Sequence, residues 1–113
     1  MKRRRSWIVF AMLVLAFAAC GAAARSTTIY VKASEFHFAL SASAAPRGRV
    51  VFVVKNVGLT AHNFRIDRKQ TPLIAPGKTA RLIVVFTKPG KYSYRCTVDE
   101  HALAGMRSIF TIR

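Results

Sequence analysis

From residue 25 onward, short stretches of apolar–polar alternation are separated by turn residues. Glu35-Phe36-His37-Phe38-Ala39-Leu40 puts Phe36, Phe38 and Leu40 on one side, and Tyr92-Ser93-Tyr94-Arg95-Cys96 does the same for Tyr92, Tyr94 and Cys96. That is the period of two that an extended strand imposes. Thr27–Val31, Val50–Val54, His62–Ile66, Leu82–Phe86 and Ser108–Ile112 read as further strands. The unbroken β-branched and aromatic run Val50–Val54 fits a central position. Pro46-Arg47-Gly48, Asn56-Val57-Gly58, Pro72, Pro76-Gly77 and Pro89-Gly90 punctuate the runs. No helical period is sustained, and Asp99–Gly105 has room for one helical turn at most. Seven or so short strands between Gly/Pro turns predict an all-β sandwich.

The first 24 residues follow a different pattern. Lys2, Arg3, Arg4 and Arg5 precede the uncharged apolar stretch Trp7–Ala19, and Ala22-Ala23-Ala24 offers an Ala-x-Ala cleavage site. Residues 1–24 therefore read as a secretory signal peptide and 25–113 as one domain. The apolar stretch is shorter than the ~20 residues that span a bilayer, and an uncleaved anchor helix is the alternative to a cleaved signal. Within it, Phe17-Ala18-Ala19-Cys20-Gly21 resembles a lipobox, with Phe17 where that pattern prefers Leu. Cys20 is thus either lipidated, anchoring the chain to a membrane, or removed with the signal. The expected location is the periplasm or the outer face of the cytoplasmic membrane.

Both routes leave Cys96 without a partner. Exported proteins usually pair their cysteines. A lone thiol there is a liability unless something, such as a metal, occupies it. The 19 basic and 4 acidic residues give +15, or +11 without residues 1–24. The charges are scattered singly along the strands, which points to an acidic partner surface rather than nucleic acid. A monomer is expected.

The candidate chemistry follows from strand parity. Cys96 shares its face with Tyr92 and Tyr94, His62 with Phe64 and Ile66, and Met106 with Phe110 and Ile112. All three fall on core-facing sides and can converge at one end of the sandwich, with His101 in the loop between Cys96 and Met106. His37, opposite Phe36 and Phe38, faces solvent. One thiolate and two imidazoles with a weak axial thioether form the blue-copper donor set. The soft sulfurs suit Cu(I) and the imidazoles also accept Cu(II), so one ion per chain can cycle between the two states.

The ordered motifs carry a family resemblance. Val54-Lys55-Asn56-Val57-Gly58, Ala61-His62-Asn63-Phe64, Pro76-Gly77-Lys78-Thr79 and Pro89-Gly90-Lys91-Tyr92-Ser93-Tyr94-Arg95-Cys96-Thr97, followed by His101 and Met106, resemble a cupredoxin of the plastocyanin/azurin type over residues 28–112. The resemblance implies a Greek-key β-sandwich of about seven to eight strands, with His62, Cys96, His101 and Met106 as copper ligands. It also implies that Asn63 bonds across to the backbone or hydroxyl of Thr97, tying two ligand segments together. That role requires the His62 strand to end early, because strict alternation would turn Asn63 away from the site.

The ligand loop departs from both family types. Four residues separate Cys96 from His101 and four separate His101 from Met106, where plastocyanin-like loops shorten the first gap and azurin-like loops the second. Asp99 and Glu100 also set acidic charge beside His101. The expected function is single-electron transfer between redox partners outside the cytoplasm, with His101 as the port and Ala102–Gly105 as an apolar rim. The alternative is an extracytoplasmic copper carrier delivering the metal to an oxidase or reductase. Such carriers rely on Met/His-rich tracts, and beyond residue 24 only Met106 remains. An enzyme is not expected: four ligands close the site, whereas a catalytic metal keeps a position open, and there is no second histidine cluster.

Overall fold

In the computed structural model, residues 25–113 are described and form nine strands. The signal-peptide and Cys20 assignments lie outside the described residues. The strands are β1 (Ser26–Ser34), β2 (His37–Leu40), β3 (Ala44–Ala45), β4 (Gly48–Asn56), β5 (Arg65–Ile66), β6 (Lys69–Gln70), β7 (Thr79–Phe86), β8 (Gly90–Arg95) and β9 (Arg107–Ile112). One sheet runs β2-β1-β4-β7 and the other β3-β9-β8-β5-β6. Seven strands correspond to the seven apolar runs; β3 and β6 are two-residue additions.

The sheets pack through their alternating inner faces. β4 lies between a parallel β1, with Ile29 opposite Phe52, and an antiparallel β7, with Phe52 opposite Leu82. β7 is an edge strand, so Leu82, Val84 and Phe86 are buried while Ile83 and Val85 stay exposed. The core is strongly aromatic. Phe52 lies 5.1 Å from Phe64 and 5.4 Å from Phe110, centroid to centroid. Phe64 also meets Phe38 edge-on at 5.3 Å and Tyr94 at 5.3 Å. Such pairs contribute roughly 0.5–1.5 kcal/mol each beyond the area they bury. Phe64 stands two residues after His62 and Tyr94 two before Cys96, so this packing also brings two candidate ligands together.

Two strands are shorter than the alternation predicts. Glu35 and Phe36 form a turn, and β2 begins at His37; Phe36 is exposed, with φ 20°. The His62–Ile66 stretch pairs as a strand only at Arg65–Ile66. His62, Asn63 and Phe64 are all buried and do not alternate. Local bonds hold them instead: His62 exchanges backbone hydrogen bonds with Ile74, and Phe64 N–H donates to Thr71 Oγ1 at 3.1 Å. Asp99–Gly105 forms successive turns without a helix.

Candidate metal centre

Three segments build the site at one end of the sandwich. The loop after β4 brings in His62, the end of β8 brings in Cys96, and the turns before β9 carry His101 and end at Met106. Asn56, fully buried, organises the first segment. Its Nδ2 donates to the carbonyls of Thr60 and Ile74, both at 2.8 Å, and its Oδ1 accepts from Gly58 N–H at 2.9 Å. Every polar atom of that side chain is satisfied, as deep burial demands. Past β8 the ladder continues for one bond, Cys96 N–H to the Met106 carbonyl at 3.1 Å, while Met106 N–H donates to the His101 carbonyl at 3.0 Å. Gly105 precedes Met106 with φ 110°, a conformation that favours glycine.

His62, Cys96 and His101 group as a potential metal site. His62 Nδ1 lies 3.2 Å from His101 Nδ1 and 4.0 Å from Cys96 Sγ, and His101 Nδ1 lies 3.6 Å from the same sulfur. A triangle with those sides has its centre about 2.1 Å from each corner, close to the roughly 2.0–2.3 Å of first-row metal bonds to imidazole and thiolate. The three donors therefore fit one small ion in a trigonal arrangement. His62 and Met106 are fully buried and Cys96 is 1% exposed; His101 is half-buried. Cys96 is a free cysteine.

Asn63 and Thr97 cross-link the first two segments. Asn63 Nδ2 donates to Thr97 Oγ1 at 2.6 Å, and Thr97 N–H donates to Asn63 Oδ1 at 2.7 Å. His37 is exposed, away from this group.

Glu35 and Phe36, in the turn before β2, also reach this site. The ring of Phe36 meets that of His101 edge-on at 5.1 Å. Glu35 Oε1 accepts from Leu59 N–H, Thr60 N–H and Thr60 Oγ1–H and lies 3.3 Å from His62 Nε2. The Thr60 N–H, then that of Leu59, holds the Glu35 carboxyl down to about 2. Leu59 and Leu73, in the loops around His62 and Ile74, are 89% and 66% exposed, and Leu103 in the ligand loop is 81% exposed. Leu59 and Leu73 lie on connections and carry no periodic signature, Leu103 is legible through its proximity to His101, and Phe36 leaves the core-facing side that its alternation predicts. On the outer face of the five-stranded sheet, strand register lines up Arg65, Arg95 and Arg107 in one row, beginning directly beside Cys96 and Met106.

The nine-stranded two-sheet sandwich thus sets a His-Cys-His donor triangle at one end. The chain belongs to the cupredoxin-like domain family, whose model matches residues 7–106. Among solved structures, dithionite-reduced auracyanin from the photosynthetic bacterium Roseiflexus castenholzii is 20% identical, with a TM-score of 0.67 over 77% of this chain and 97% of that one. Auracyanin B is 18% identical, with a TM-score of 0.66 over 80% and 90% of the two chains. A multi-copper oxidase from Pediococcus acidilactici is 19% identical, with a TM-score of 0.60 over 81% of this chain but 27% of that one. At these identities the likeness is one of fold. No curated protein sequence matches. Family and donor triangle together make the cofactor a single copper ion.

Proposed function

We propose that this protein is a type 1 (blue) copper carrier of single electrons, working between redox partners outside the cytoplasm. The observation that carries the reading is the unequal burial of the donors. His62 and Cys96 are sealed, and His101 alone of the three reaches the surface. Copper bound there supplies a one-electron couple. His62 Nδ1, Cys96 Sγ and His101 Nδ1 would hold it, with the Met106 thioether as a weak fourth donor. The aromatic core and the Asn63–Thr97 bonds keep the donors near one geometry in both oxidation states, and the buried surroundings exclude water.

His101 is the proposed electron port. Phe36 meets its ring edge-on, and the exposed Leu59, Leu73 and Leu103, on the loops that carry the site, would form an apolar docking rim. The arginine row would steer a partner with an acidic surface. Residues 1–24 would direct export, to the periplasm or, through a lipidated Cys20, to the outer face of the cytoplasmic membrane. Copper-loaded protein tests the reading. An intense thiolate-to-copper visible band with narrow copper hyperfine splitting in electron paramagnetic resonance is expected. A colourless protein that binds Cu(I) alone would favour metal delivery instead.

A further inference from the structure

Glu35 lies outside the donor triangle but touches one of its members. Its Oε1 is 2.7 Å from Leu59 N, 2.9 Å from Thr60 N, 3.1 Å from Thr60 Oγ1 and 3.3 Å from His62 Nε2. Nε2 is the His62 nitrogen not used in the triangle, where Nδ1 faces Cys96 and His101. The carboxylate is therefore aimed at the back of a ligand and not at the metal position.

The chain makes room for this contact. A Cβ at residue 58 would stand 2.6 Å from Glu35 Oε1 and 2.8 Å from Oε2. Gly58 has no left-handed φ, so its lack of a side chain matters here for space and not for backbone freedom. Asn56 Oδ1 holds Gly58 N–H in place, and the following Leu59 and Thr60 N–H groups point at the same carboxylate. Notch and anion fit one another. An ionised carboxylate is an acceptor only, so its partner on His62 must be an N–H.

We propose that Glu35 is the positioning residue of His62: seated in the Gly58 notch, its carboxylate accepts the Nε2–H and leaves Nδ1 as the bare donor facing Cys96 and His101. The inference rests on the copper reading of the site and adds to it a control on redox balance. A carboxylate behind a ligating imidazole raises its basicity, which favours Cu(II) over Cu(I).

Two measurements test this. Nitrogen-15 NMR of the metal-free protein, above the imidazole titration range, reads the His62 tautomer without copper. Wild type is expected to show a protonated Nε2 and a bare Nδ1, and Glu35→Ala a mixture. In the copper-loaded protein, Glu35→Gln and Glu35→Ala should raise the reduction potential, lowering the Cu(II)-over-Cu(I) preference about tenfold, equal to about 59 mV for one electron. Gly58→Ala keeps Glu35 but displaces its carboxylate, so it should shift the potential the same way. Should Glu35→Ala not fold, Glu35→Gln and Gly58→Ala carry the test. Folded variants with the wild-type tautomer and potential would overturn the proposal. If wild type binds no copper, the copper reading falls, and the tautomer alone upholds or overturns the role of Glu35.

Discussion

Asn63 and Thr97, 34 residues apart in sequence, exchange two hydrogen bonds of 2.6 and 2.7 Å directly beside His62 and Cys96. Each residue follows a candidate ligand, so the pair sets the spacing between the two ligand segments before any metal enters. Asn63→Ala removes both bonds and should cost about 2 kcal/mol. Thr97→Val removes only the hydroxyl bond and should cost about 1 kcal/mol. Denaturant unfolding of the copper-loaded variants measures both, and equal losses would contradict the division of labour between side chain and backbone.

Cys96→Ser should abolish the visible thiolate charge-transfer band while leaving the imidazoles able to hold Cu(II) weakly. Absorption and electron paramagnetic resonance spectra of copper-titrated protein report this. Colour that survives the substitution would place the sulfur ligand elsewhere.

Met106→Leu preserves volume and should cost less than ~1.5 kcal/mol of stability. Copper and colour should be retained, with the potential raised by loss of the weak sulfur donor. Voltammetry gives the shift; complete loss of copper would rule out an axial role.

Leu103→Lys should slow electron self-exchange by about tenfold, within the range that interface variants produce. The visible spectrum should not change, because the substitution is in the rim and not among the donors. NMR line broadening in mixtures of the two oxidation states measures the rate, and an unchanged rate would move the docking site away from His101.

The arginine row should make oxidation by anionic ferricyanide salt-sensitive, with the rate falling about tenfold toward roughly 0.5 M salt. Arg95→Glu should flatten that dependence. Stopped-flow rates for wild type and variant decide the matter, and a cationic oxidant serves as the control with the opposite slope.

Much of this architecture is legible in the sequence because strand parity is a local property. Tyr94 and Phe110 advertise the inner face of β8 and β9, and Cys96 and Met106 share their parity. The segment around His62 is different. His62, Asn63 and Phe64 are all buried because partners at Ile74, Thr71 and Thr97 outweigh the local alternation, and such partners are invisible in a linear pattern. Glu35 is hidden for the same reason. Its position before Phe36 looks like the start of an alternating strand, whereas the loop 24 residues later supplies the N–H groups that turn it toward His62. Gly58 reads as a turn residue, and its spatial role appears only once Glu35 is in place.

The edges of the five-stranded sheet have one more consequence. Both outer strands, β3 and β6, are two residues long, so they offer few free backbone groups for a foreign strand to extend. At this sheet a visiting protein meets side chains, with the arginine row beside the ligand end. On the proposed electron-transfer reading, contacts of that kind would separate readily, and ready separation would let one carrier serve many encounters instead of remaining bound to the first.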